Sequence, residues 1–208
     1  MKKQKMIFDR QTDRQTDRQA DGQDRSLIVQ LYCRLTRLER SDKLAFASSL
    51  LFGLFAHLYK MVNYLPGNDS LLYHYHDENV LASGRWLLSL ACGFSSYYDL
   101  PWLIGILSLM LIGIGAVMIA HILHVNSPVL AILVGGLMAT FPAVTYTFFF
   151  GYTVDGYMVA MVLSVLAVYF SRMGDHTVSH YALSALCVCM ACGIYQAYIS
   201  FGMVLALC

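Results

Sequence analysis

Residues 101–123 read PWLIGILSLMLIGIGAVMIAHIL, an apolar run that contains no Asp, Glu, Lys or Arg. A helix that crosses a bilayer needs about 20 predominantly apolar residues, so this stretch is long enough to span a membrane. The rest of the chain is similar, because 58% of its 208 residues are hydrophobic and only 13% are charged. Soluble domains usually carry about 25% charged residues. The composition therefore argues against a water-soluble enzyme.

Further apolar runs lie on both sides of this stretch. The pattern predicts spans at about Leu44–Leu65, Pro101–Leu123, Pro128–Phe150, Gly156–Met173 and Tyr181–Tyr195, and a sixth run begins near Ile199. We therefore expect an all-α integral membrane protein with five to six transmembrane helices. Because the chain ends inside the sixth run, we expect residues 44–208 to be a polytopic membrane domain that is truncated at its C-terminus.

The distribution of charge predicts the orientation of these spans. Of the 14 Lys and Arg residues, 11 precede Leu44, so the positive-inside rule places the N-terminus in the cytoplasm. The loop of residues 66–100 then lies outside, and the loop of residues 172–180, which begins with Arg172, lies inside. The first outside loop is acidic, as expected for an extracytoplasmic loop, and contains Asp69, Asp77, Glu78 and Asp99.

The first 26 residues contain a tetrapeptide repeat. Asp9-Arg10-Gln11-Thr12 recurs at residues 13–16, nearly recurs at residues 17–20 and decays over residues 21–24. Such a segment has almost nothing apolar to bury, so we expect it to be disordered. The tetrapeptide can be encoded by GAC AGA CAG ACA, which repeats the tetranucleotide GACA. We interpret it as a slippage-prone tract that switches expression, and the alternative is a low-complexity tail with unrelated codons.

Residues 27–43 form a basic amphipathic segment, which suits an interfacial helix beside an anionic cytoplasmic leaflet. A second interfacial helix is expected after the first span. The run Arg85–Phe94 combines Arg85 and Trp86 with apolar residues, so Trp86 would anchor it at headgroup depth.

Several short motifs resemble one known family. They are Asp69 just after the first span, Gly84-Arg85-Trp86, the aromatic Tyr98-Asp99 before the second span, Gly151-Tyr-Thr-Val-Asp155, and Gly193-Ile-Tyr195-Gln196-Ala-Tyr198. Over residues 44–208 the chain resembles the serotype-converting glucosyltransferases, which are multi-span enzymes of the polyprenyl-phosphate-sugar-dependent type C class.

The resemblance implies a membrane glycosyltransferase in the bacterial inner membrane. It would transfer glucose or a related hexose from a polyprenyl-phosphate donor to a cell-surface polysaccharide, such as an O-antigen. Asp69 matches the family's acid and would be the catalytic base. A guanidinium is well shaped to hold the leaving phosphate, so the chemistry assigns Arg85 to that anion. The other candidate substrate contacts are Asp77, Glu78, Asp155, Tyr195 and Gln196.

Each candidate also has a structural interpretation. Asp69 lies in a strong turn sequence, and Arg85 can snorkel to the interface. Asp77 and Glu78 can be solvated surface acids. Asp155 can stabilise the start of a helix. Tyr195 can belong to an interfacial aromatic belt, and the same interpretation applies to Gln196 beside it. Two positions near the end of the first span, His57 and Lys60, can line a polar cavity, or Lys60 can snorkel outward.

We expect no cofactor. A divalent metal at His74, His76 and Asp77 has only weak support from their spacing, and the cysteines at 187, 189 and 192 lie in an apolar span, where they suit helix packing.

The expected partners are membrane lipid, the lipid-linked donor and the polysaccharide acceptor, with no nucleic acid. The alternative functions are a transporter or flippase for a lipid-linked or polar solute, or an inactive truncated fragment. The acids cluster at outside exits rather than near the midplane, which favours interfacial chemistry over transport.

Overall fold

The computed structural model describes residues 39–63, 83–92, 100–172 and 178–208. Regular secondary structure in these ranges consists of α-helices: α1 (Arg40–Val62), α2 (Leu88–Ala91), α3 (Pro101–Ile122), α4 (Pro128–Thr140), α5 (Pro142–Thr147), α6 (Val154–Arg172), α7 (Val178–Ile194) and α8 (Ala197–Leu207). The residues from Arg40 to Cys208 form one compact unit. The N-terminal repeat and residues 27–38 of the basic segment lie outside the described residues.

Four of these segments are long and apolar enough to cross a membrane. They are α1, α3, the continuous stretch Pro128–Thr147 that contains α4 and α5, and α6. Two shorter apolar helices, α7 and α8, occupy the fifth and sixth predicted runs. The expectation of an all-α membrane protein is thus confirmed, and four segments of the described residues reach spanning length.

The first span begins earlier than its hydropathy suggests. Helix α1 starts at Arg40 and ends at Val62, whereas the apolar run predicted Leu44–Leu65. The last four residues of the basic segment are therefore part of α1. Polar residues continue a helix as readily as apolar ones when its backbone bonds are satisfied within the segment, so hydropathy alone misplaces such a boundary.

Small residues allow the spans to approach closely. A Cβ at Gly135 of α4 would collide with the Ala45 carbonyl and the Ser48 hydroxyl of α1. A Cβ at Gly113 of α3 would lie 2.7 Å from the Phe46 ring. Helix α1 packs against α3 and α4, and α6 packs against α3, α7 and α8. The glycines thus serve helix packing.

The third span is broken at Phe141. Pro142 has no N–H and forces the preceding residue out of the helical conformation, so α4 ends at Thr140 and Phe141 has an extended ψ of 135°. His57 of α1 is only 2% exposed, and its Nε2 donates to the Ala139 carbonyl at 2.9 Å. Its ring stacks on Phe148 with a centroid distance of 3.8 Å. His57 is therefore a helix-packing residue beside the break.

Polar contacts mark one end of the helix bundle. His121 Nε2 at the end of α3 lies 3.1 Å from Asp42 Oδ1 at the start of α1. Arg172 at the end of α6 donates through Nη2 to the Ala206 carbonyl of α8 at 3.0 Å. The antiparallel course of the spans brings the end of α1, the segment of residues 83–92, the start of α6 and the end of α7 to the opposite end.

Candidate functional site

Three separate blocks of sequence meet at that opposite end of the bundle. They are residues 84–86, residues 151–157 and residues 193–198. The first two carry Arg85 and Tyr157, which are joined by a hydrogen bond, and the third carries Tyr195, whose ring contacts both. In the fold, Arg85 is thus a neighbour of Tyr157, which lies 72 positions further along the chain, and of Tyr195, which lies 110 positions further.

The first and third blocks contact each other almost residue by residue. The Leu87 N–H donates to the Gly193 carbonyl at 2.8 Å. The Trp86 indole covers Gly193 so closely that a Cβ there would lie 2.6 Å from the ring. Gly84 adopts a left-handed φ of 75°, and a Cβ on it would lie 3.0 Å from Gln196 Nε2. Both glycines are therefore required by close approach between the blocks.

This docking also shortens the predicted interfacial helix. The expectation was a helix over Arg85–Phe94, but α2 covers only Leu88–Ala91, and Phe94 lies outside the described residues. The Leu87 N–H bonds to the Gly193 carbonyl, and the Leu88 N–H bonds to the Arg85 carbonyl in a turn. A tertiary hydrogen bond has therefore replaced the first turn of the helix. Trp86 is 53% exposed and covers α7 with the rest of its surface.

Arg85 is half-buried among aromatic groups. Its Nη1 donates to the Tyr157 hydroxyl at 3.3 Å, and its Cζ lies 5.0 Å from the centroid of the Tyr195 ring. A cation over the face of an aromatic ring is attracted by the ring quadrupole. Across the ranges that the structure describes, no carboxylate forms an ion pair with Arg85.

Four aromatic rings build the floor of this site. The Tyr157 and Tyr195 rings stack at 4.4 Å with an interplanar angle of 28°. Tyr198 meets the Tyr195 ring edge-on at 5.9 Å, and Phe150 meets the Tyr157 ring edge-on at 6.4 Å. Offset stacks and edge-on contacts are the favoured geometries of aromatic pairs, so they fix these side chains in place. We call Arg85, Tyr157, Tyr195 and Tyr198 the arginine–tyrosine cluster.

The second block supplies the start of α6. Asp155 is buried in the first turn, and its Oδ1 accepts a hydrogen bond from the Gly156 N–H at 2.9 Å. A carboxylate there is favoured by the helix dipole. Residues two apart on a helix do not face each other, so Asp155 and Tyr157 point in different directions. Cys92, after α2, closes the junction by donating to the Thr153 carbonyl at 3.7 Å.

The structure brings together only some of the predicted site residues. Arg85, Tyr195 and Gln196 lie in the contact between the first and third blocks, and Asp155 lies at the same end of the bundle. The candidate base Asp69, the acids Asp77 and Glu78, and the histidines at 74 and 76 lie outside the described residues. Within the described ranges, no three His, Cys, Asp or Glu side chains are placed to hold a metal ion.

Sequence reasoning missed Tyr157. The signal for it is weak but present, because a tyrosine hydroxyl near the exit of an apolar span needs a polar partner. The nearest predicted site residue, Asp155, lies two positions away, and only the tertiary structure shows that Tyr157 is the one that contacts Arg85.

The comparison with protein families covers all three blocks. The family model described as Glucosyl transferase GtrII matches residues 58–208, which is well over half of the chain. No curated protein and no solved structure gives a significant match. The matched region contains the arginine–tyrosine cluster, three of the four segments of spanning length, the shorter helices α7 and α8, and the acidic loop. Membrane helices, the converging blocks and the family match agree, and the chain belongs to the glucosyl transferase GtrII family.

Proposed function

We propose that this membrane glucosyltransferase transfers glucose or a related hexose from a polyprenyl-phosphate donor to a cell-surface polysaccharide. Transfer would take place at the outer face of the bacterial inner membrane. The observation that supports the proposal most is the environment of Arg85. Its guanidinium is held by neutral aromatic groups at one end of the bundle, where an anion can neutralise it. A lipid-linked sugar presents its phosphate at the same depth as the interface.

The proposed reaction exchanges one glycosidic bond for another. An acceptor hydroxyl attacks the anomeric carbon of the donor sugar, and its proton passes to the carboxylate of Asp69. The bond between the anomeric carbon and the phosphate oxygen breaks, so polyprenyl phosphate leaves with the electron pair. Arg85 stabilises the negative charge on that phosphate, because a planar guanidinium donates two parallel hydrogen bonds to it.

The remaining candidates are assigned to the sugar and the acceptor. Gln196 is exposed between α7 and α8 with its amide beside Gly84, where it can bond to a hydroxyl. Tyr195 lies under Arg85, and Asp155 lies at the start of α6. Asp77 and Glu78 belong to the same predicted outside loop as Asp69. We assign these five residues to substrate contacts, with Asp69 as the base.

A transfer assay in proteoliposomes tests this proposal. The purified chain is given radiolabelled polyprenyl-phosphate glucose and a polysaccharide acceptor. Asp69→Asn should lower the rate about 10²–10⁴-fold, because that is the usual contribution of a general base. Asp175→Asn, in the predicted cytoplasmic loop, is the matched control and should transfer normally. Equal rates in the two variants would remove Asp69 from the mechanism.

The same assay examines the phosphate contact. Arg85→Lys should raise the donor KM about tenfold, because lysine keeps the charge but lacks the planar fork. The control is Arg172→Lys at the opposite end of the bundle.

A wild-type chain that moves the lipid-linked sugar across the bilayer without forming a glycosidic bond would favour a transporter, and a chain that does neither would favour an inactive fragment.

We also propose that expression of this glucosyltransferase is phase-variable. The repeat over residues 9–24 supports this, because it can be encoded by GACA units. Only one copy number in three would keep the spans in frame. A hydrophilic head can gain or lose residues without disturbing the helices that follow it. The tract should therefore consist of near-perfect GACA units whose number varies among sister colonies, and mixed synonymous codons would contradict the switch.

A further inference from the structure

We propose that Tyr157, together with Tyr195, is a positioning residue that holds the Arg85 guanidinium where the donor phosphate binds. This inference rests on the proposed function, because it takes the phosphate of a lipid-linked sugar as the anion that Arg85 contacts. It adds a second layer to the site, in which two tyrosines determine the orientation of the cation.

The two tyrosines constrain Arg85 in different ways. The Tyr157 hydroxyl accepts a hydrogen bond from Nη1 at 3.3 Å, which holds one edge of the guanidinium. The Tyr195 ring lies 5.0 Å from Cζ, which holds its face. A guanidinium has five N–H donors. One is used by Tyr157, so donors remain to bind two oxygens of a phosphate.

Tyr157 is itself fixed by its surroundings. It is 5% exposed on α6, and its ring is stacked on Tyr195 and met edge-on by Phe150. Arg85, by contrast, lies in a turn before the short helix α2, where a long side chain has many accessible rotamers. Ordering such a side chain opposes ligand binding. Because Tyr157 orders Arg85 before the donor arrives, the side chain loses its conformational entropy during folding and not during binding.

The neutrality of the hydroxyl matters as much as its position. A carboxylate at this point would also orient Arg85, but it would neutralise the cation and compete with the phosphate. A tyrosine hydroxyl accepts the hydrogen bond and leaves the full positive charge for the ligand.

Binding of polyprenyl phosphate to the purified chain in nanodiscs tests the inference without requiring an acceptor. Tyr157→Phe removes only the hydroxyl and should weaken binding about tenfold, as expected for the loss of a hydrogen bond to a charged group. Tyr195→Leu removes the aromatic face under the guanidinium and should also weaken binding. Tyr169→Phe, further along α6, is the matched control and should change nothing.

A double-mutant cycle separates positioning from a general structural role. In an Arg85→Ala background, Tyr157→Phe should cause no further loss, because the residue it positions is absent. The same loss in both backgrounds, or wild-type binding by Tyr157→Phe, would overturn the positioning role while leaving Arg85 as the phosphate contact. If Arg85→Ala binds polyprenyl phosphate as tightly as the wild type, the phosphate role in the proposed function fails and this inference fails with it.

Discussion

At the residue scale, the absence of a side chain at Gly193 shapes the candidate site. The Trp86 indole occupies the space that a Cβ would take, and the Gly193 carbonyl accepts the Leu87 N–H. These two contacts lock the turn that carries Arg85 onto the end of α7. The position of the cation therefore depends on a residue that has no functional group.

We expect Gly193→Ala to reduce glucose transfer more than it reduces the amount of folded protein. The new methyl group would displace the half-exposed Trp86 ring and shift Arg85 with it. A displacement of about 1 Å at a reacting group can lower the rate about 10²-fold. The measurement is the transfer rate at equal amounts of protein in the membrane.

Gly202→Ala is the control for this substitution, because a Cβ there would meet Ser164 at 3.5 Å, an ordinary contact distance. It introduces the same methyl group into an apolar helix and should transfer normally. If Gly193→Ala transfers as fast as Gly202→Ala, the turn is not locked by this contact.

At the scale of the elements, the break between α4 and α5 explains a buried histidine. Pro142 has no N–H, and the extended Phe141 takes the chain out of the helix, so the Ala139 carbonyl lacks its usual partner at Ala143. An unpaired carbonyl inside a bilayer is costly. His57 supplies the missing donor from the neighbouring span.

We expect His57→Phe to destabilise the protein by about 1–3 kcal/mol, since the ring stack can persist while the buried carbonyl loses its donor. The measurement is the unfolding free energy of the purified chain in detergent. In a Pro142→Ala background the cost should be smaller, because the Ala143 N–H can then approach the Ala139 carbonyl. Identical costs in the two backgrounds would show that His57 acts independently of the proline break.

At the scale of the whole molecule, polar groups are divided between two ends. One end carries the contacts of Asp42 with His121 and of Arg172 with Ala206. The other end carries the arginine–tyrosine cluster. This position suits the proposed lipid-linked donor, because the phosphate of such a donor lies at an interface and not at the midplane.

The proposed orientation places the arginine–tyrosine cluster at the outer face of the inner membrane. A cysteine introduced at Ser70, in the predicted outside loop, should react with an impermeant thiol reagent in intact cells. A cysteine at Thr177, in the predicted cytoplasmic loop, should react only after lysis. The parent chain, with its six native cysteines, provides the background. The reverse labelling pattern would invert the topology and place the cluster in the cytoplasm.

Much of the fold could be predicted from composition and hydropathy. Long apolar runs must satisfy their backbone hydrogen bonds internally, so the helical class and the approximate spans follow from the sequence. The start of α1, the break at Phe141 and the short length of α2 were not predicted. These boundaries depend on backbone bonding and on tertiary contacts, which hydropathy does not describe.

The sequence by itself determined that the chain is a helical membrane protein, and its short motifs identified the family. It also singled out Tyr195 and Gln196 through a motif that resembles the family, and Arg85 through the chemistry of a guanidinium with a phosphate. Only the tertiary structure decided that these motifs meet, and that Tyr157 completes them. Local patterns determine which segments become helices. Contacts between distant blocks depend instead on how those helices pack, and close packing at residues such as Gly193 is a property of the whole fold.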